Sequence, residues 1–166
     1  MSEKSRFVLE GEKLLTGENL TNYLGFDDFL KENKASKAAT TKPASSYSGW
    51  TVRYKKRVIC HFRACHGYWF ISFFKGVDIN LYEPFISSEM KAFILSNIST
   101  NPSCSSCEGR KNRVIFGRNF DVVCGCHLLV FYNPEGEYLE RAKGLVLISK
   151  KVVEAGLSYG SQKETE

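Results

Sequence analysis

Apolar and polar residues alternate most cleanly in the middle of the chain. Trp50, Val52 and Tyr54 take turns with Thr51, Arg53 and Lys55, the period of a half-buried strand. Lys55-Lys56 reads as a turn. Val58, Cys60 and Phe62 then share one side of a second strand, with Ile59, His61 and Arg63 on the other. After a turn within 64–67, residues 68–74 are apolar on both sides, which predicts a central strand. Three sequential strands joined by short turns make an antiparallel meander.

The flanking segments carry a helical period. Thr16 to Asn19 form a helix entry, and Leu20, Tyr23 and Leu24 line one face. Gly25 interrupts this run, and Phe26, Phe29 and Leu30 give a second short stripe behind Asp27 and Asp28. Ser87 and Ser88 can cap a helix from Glu89 to about Ile98. Val114 starts a later strand that Gly117 breaks and that resumes from Phe120 to Cys124, and 128–132 reads as a buried strand. Asn133-Pro134 has the form of an N-cap followed by proline at the first helical position, opening a helix with Leu139, Ala142 and Val146 on its apolar face.

These elements predict an α+β fold: an antiparallel sheet of about five strands, covered by N-terminal, middle and C-terminal helices. The length of 166 residues suits a single domain over 1–166. Within it, the Ala, Thr, Ser, Lys and Pro mixture of 35–48 has no apolar period and reads as a mobile loop or linker, and 157–166 as a frayed tail.

Composition adds a core and little else. Twelve Phe and eight Tyr are enough for a substantial interior. The formal charge of +5 is compatible with an anionic partner without requiring one. Basic residues Arg53, Lys55, Lys56, Arg57 and Arg63 lie near aromatics, as single-stranded nucleic-acid binding requires, but the aromatics alternate as a core face does, so nucleic acid is not the favoured partner. No apolar run approaches the ~20 residues that cross a bilayer, and no secretory signal is read at the N-terminus. No membrane partner is therefore expected, the cytoplasm is the expected compartment, and the six cysteines are thiols or metal ligands before they are structural disulfides.

Chemistry concentrates in the second half. Cys104 and Cys107 form a C-x-x-C pair, and Cys124, Cys126 and His127 follow as C-x-C-H. Two thiolates three positions apart can share one tetrahedral ion, and a later pair can close the site, so zinc is the candidate cofactor. The competing reading makes Cys124 and Cys126 small buried residues beside a strand. Cys107 or Cys124 is also the candidate for a thiol-dependent enzyme or redox-responsive pair, although the segment around Cys107 reads as loop and lacks the helix that lowers a thiol's pKa. Cys60 and Cys65, each followed by a histidine, read first as core and turn. No phosphate loop, nucleophile elbow or dinucleotide fingerprint is present, which favours a non-enzymatic role.

The opening Trp50-x-Val52-x-Tyr54-Lys55 and the two strands after it resemble the meander of small uncharacterised bacterial domains of the YdhG and YjbR kind. Val114-Ile115-Phe116-Gly117-Arg118-x-Phe120-x-x-Val123-Cys124, then Asn133-Pro134-Glu135, is similar to the C-terminal half of hypothetical bacterial proteins. The resemblance implies an α+β fold and a small cytoplasmic protein, and it implies no catalytic residue. Two functional expectations follow from the whole sequence. The first is a non-enzymatic domain whose Cys-rich zinc or thiol site supports a binding surface. The second is a small-molecule-binding domain with an aromatic pocket lined by Trp50, Tyr54 and Trp69.

Overall fold

In a computed structural model, residues 5–41, 46–100, 111–124 and 128–157 are described. Helix α1 (Arg6–Leu14) opens them, followed by α2 (Gly17–Glu32) and strands β1 (Ser36–Ala39), β2 (Ser48–Tyr54), β3 (Arg57–Cys65) and β4 (Tyr68–Phe73). A 3-10 helix over Ile79–Phe85 leads to α3 (Ser88–Ser96), the hairpin β5 (Lys111–Ile115) and β6 (Arg118–Val123), then β7 (Leu129–Tyr132) and α4 (Gly136–Glu154). The main sheet has the order β1-β2-β3-β4-β7, with every neighbouring pair antiparallel. Hairpin β5–β6 is a separate two-stranded sheet. This is the α+β arrangement the pattern predicts, and no helix among the described residues is long and apolar enough to cross a membrane.

Cross-strand partners point to the same side, so the register divides the sheet into two faces. Trp50 pairs with Phe62, Phe62 with Ile71, and Ile71 with Phe131. With Val52, Cys60, Ala64, Trp69, Phe73 and Leu129 they make one apolar face, and all of them are buried. The helices cover it. Phe7 of α1 packs on Trp50 and Phe62; Tyr23 and Phe26 of α2 pack on Phe62 and Trp69; Phe93 of α3 and Tyr138 of α4 pack on Phe131.

Helix α2 is continuous through Gly25. The residue is exposed and faces open space, so its cost of about 1 kcal/mol relative to alanine is outweighed by burial of Tyr23, Phe26 and Leu30 on the other side. The same stripe buries Asp27, which is 1% exposed and is paired with Lys31 at 2.8 Å and with Lys37 of β1. Helix α1 carries no obvious apolar run because its core stripe reads Phe7, Gly11, Leu14. A Cβ at Gly11 would stand 2.6 Å from Cε1 of Tyr23, whose ring is stacked on Phe7 with centroids 4.4 Å apart. Glycine is what lets the two helices approach.

Four further sequence expectations need correction. Ser36–Ala39, placed in the 35–48 loop, is an edge strand on β2; it buries too little to show a period. The register shifts between Val52 and Arg53, so Val58 pairs with Arg53 on the opposite face from Cys60, and Ile59 is buried. Asn133-Pro134 does not cap α4, whose N-cap is Glu135. Asn133 instead adopts a left-handed conformation (φ 43°) and bonds the Trp69 backbone at both groups: its N–H donates to the Trp69 carbonyl, and its Oδ1 accepts from the Trp69 N–H. The middle helix starts as expected, with the Ser87 hydroxyl accepting from the Met90 N–H, but ends at Ser96 rather than near Ile98. Of the tail read as frayed, 158–166 lies outside the described residues.

Phe62 touches Phe7, Tyr23 and Phe26 together, so Phe62→Ala is expected to lower unfolding free energy by about 3–5 kcal/mol. Gly11→Ala is expected to cost about 1–3 kcal/mol through the forced separation of α1 and Tyr23. Urea titrations at one temperature measure both; an unchanged midpoint for Phe62→Ala would contradict this description of the core.

Candidate functional site

The opposite face of the main sheet holds a different set of residues. Strand β2 contributes Gly49, Thr51 and Arg53; β3 contributes Val58, His61, Arg63 and Cys65; β4 contributes Tyr68, Phe70 and Ser72; β7 contributes Val130 and Tyr132. Ser36 and Ala38 of β1 complete it. No carboxylate occurs at these positions, and neither Arg53 nor Arg63 has an ion pair among the described residues.

Register aligns the rings and one guanidinium on this face. Arg63 faces Phe70 across β3–β4, and Phe70 faces Tyr132 across β4–β7. The Arg63 guanidinium carbon is 4.5 Å from the Tyr47 ring centroid and 5.7 Å from that of Phe70. Phe70 and Tyr132 have centroids 5.4 Å apart and planes tilted by 49°. The result is a strip, Tyr47–Arg63–Phe70–Tyr132, running across the strands. Tyr132 is 66% exposed, and Tyr68 beside the strip 42%. Burying aromatic surface is the commonest use of such rings, so rings left open around an unneutralised arginine are the informative case.

Two local features shape the strip. Gly49 lies beneath Thr40 and Thr41: a Cβ there would meet Thr40 Oγ1 at 2.6 Å, and the Gly49 N–H donates to Thr41 Oγ1. Thr40, whose N–H donates to the Gly49 carbonyl, leaves no room for a side chain at Gly49. In the neighbouring row the Thr51 hydroxyl lies 3.2 Å from His61 Nδ1, and His61 pairs across the strands with Ser72. Ser72 Oγ is buried and has no hydrogen-bond partner among the described residues. Tyr68 is the cross-strand partner of Cys65, and interaction with that thiol holds its phenol above the ordinary value.

The residues expected to bind a ligand sit elsewhere. Trp69 is fully buried and Trp50 nearly so, both within the helix-covered face. Tyr54 stands at the rim of that face, where its hydroxyl donates to Glu154 Oε1 at 2.6 Å and Lys150 lies over its ring. Trp50, Tyr54 and Trp69 line neither of the two described depressions. The larger of these, ≈ 320 Å³ and open to solvent, lies against the β5–β6 hairpin between Arg113 and Phe120.

Of the candidate zinc ligands, Cys104, Cys107, Cys126 and His127 lie outside the described residues. Cys124 is buried after β6, its N–H donating to the Ser99 carbonyl. No cluster of three or more metal-ligating side chains occurs among the described residues. Cys60 is buried in the core, and burial pushes its thiol far above the ordinary range.

Alkylation at pH 8 should therefore leave Cys60 unmodified in the folded protein and modify it on addition of denaturant, while half-buried Cys65 reacts in the native state. Peptide mass mapping distinguishes the two; rapid native labelling of Cys60 would contradict its placement. No protein-family model, curated protein or solved structure matches the chain.

Proposed function

We propose that the chain is a non-enzymatic binding domain and that the sheet face opposite the helix-packed core, exposed at Arg63, Tyr68 and Tyr132, is its binding surface, recognising a planar group that carries negative charge. One observation carries this reading: the strip Tyr47–Arg63–Phe70–Tyr132 lies on a face whose described strand positions carry no carboxylate. A planar ligand on Tyr132 or Phe70 gains apolar contact and stacking, and an anionic substituent meets Arg63. This replaces the pocket of Trp50, Tyr54 and Trp69 with a surface, because those two tryptophans are occupied in packing the helices.

The zinc reading of Cys104, Cys107, Cys124, Cys126 and His127 rests on spacing and is a separate proposal. Protein purified without chelator should then carry about one zinc per chain, with thiols that become reactive as the metal is removed. Metal-free protein with freely reactive thiols removes it.

The probe for the surface is 1-anilinonaphthalene-8-sulfonate, which is planar and anionic. It should bind the folded protein saturably, and Tyr132→Ala and Arg63→Glu should each weaken binding several-fold with the unfolding midpoint nearly unchanged, since both side chains are exposed. Absence of binding, or binding by both variants as tight as that of the unmodified protein, would refute the assignment.

A further inference from the structure

We infer that the partner of this face is single-stranded nucleic acid, held by base stacking on Tyr132 and Phe70 and by phosphate contact at Arg63 and Arg53. The inference rests on the proposed binding surface and specifies its occupant. Three observations select this class among anionic partners.

The first is geometric. The strip is long relative to a single planar ligand: its members are spaced 4.5, 5.7 and 5.4 Å apart and come from β3, β4, β7 and the segment before β2. A row of separate rings suits a chain of bases offered one after another, and every base has a face to stack. The second concerns charge. Arg63 lies between two rings and Arg53 sits on the same face, both without an ion pair among the described residues. Guanidinium groups so placed can meet phosphates while the rings meet bases. The third concerns shape. The strip lies across the sheet and not on a protruding helix or ribbon. It fits neither groove of a duplex, whose bases are turned inward, and a membrane surface offers phosphates but no planar groups to stack.

The face also predicts how binding responds to conditions. With two arginines as phosphate partners, the logarithm of affinity should fall with the logarithm of salt at a slope of about −1.4, since each contact on a single strand contributes about −0.7. Recognition through base faces and phosphates does not engage the ribose 2′-hydroxyl, so DNA and RNA of one sequence should bind alike.

The test is fluorescence anisotropy of the full chain with a labelled 15-nucleotide oligodeoxythymidine at low salt. Micromolar binding is expected. Tyr132→Ala should weaken it about five- to tenfold. Arg63→Ala should weaken it and make the salt slope shallower by about 0.7. Arg63→Lys should restore the slope without restoring full affinity, because lysine keeps the charge but lacks the planar group. Tyr138→Ala, an exposed aromatic of α4 on the helix side of the sheet, should leave affinity unchanged. Three results would overturn the inference: no binding to the oligonucleotide, affinity unchanged by Tyr132→Ala, or equally tight binding to a duplex, to polyphosphate or to anionic lipid vesicles. If the naphthalene sulfonate binds through Arg63 and Tyr132 but the oligonucleotide does not, the surface stands and nucleic acid falls. If neither binds, both fall.

Discussion

The molecule is organised by the packing of Phe62 against rings from two helices. Phe7 comes from α1, Tyr23 and Phe26 from α2, and Trp69 closes the cluster from the neighbouring strand. Side chains alternate across a strand, so placing Phe62 inward fixes the side chains of β3 from Cys60 to Cys65, beyond the register shift. Arg63 is outward because Phe62 is inward. The cross-strand register carries the same choice to Phe70 and, through β4, to Tyr132. A slip of one residue would put an arginine in the aromatic cluster, which supplies a strong penalty against that error.

The buried Asp27 fits the same logic. Its carboxylate lies among apolar side chains of α2 and is met by Lys37 from the edge strand and Lys31 from its own helix. The Lys37 ammonium also lies 3.9 Å from the Phe7 ring centroid. A short strand with little apolar surface is thereby attached to the core by a charge pair and a ring contact. Such a pair contributes less net stability than its proximity suggests, because two ions leave water to form it. What it does in the structure is join β1, the strand lying along β2, to α2.

Much of the fold can be read from the sequence because its signals are local. The alternation at 50–54, the apolar run after Tyr68 and the Ser87 cap each specify an element without reference to distant residues. What cannot be read depends on pairing. Val58 changes face through a register shift with no glycine to mark it, and β1 is a strand only because β2 lies beside it. Helix α1 is concealed by Gly11, where the missing side chain is the packing feature. The candidate surface is hidden for the same reason. Its four members come from four separate segments and become neighbours only through register. Trp50 and Trp69 draw attention first in sequence, yet both are buried in the core. The four zinc-ligand candidates other than Cys124 fall outside the described residues, and there the cysteine spacing speaks alone.

Asn133 gives the outer strip a mechanical property. Its backbone and side chain both bond the backbone of Trp69, whose ring is fully buried. Tyr132, the residue immediately before it, is therefore carried on a stretch of chain clamped to the interior although its own ring stands in solvent. To swing that ring away at the backbone would require opening the core. Rotation about its side-chain bonds is the main freedom left, so a partner arriving at this end meets a support whose ordering cost was met at folding rather than at binding.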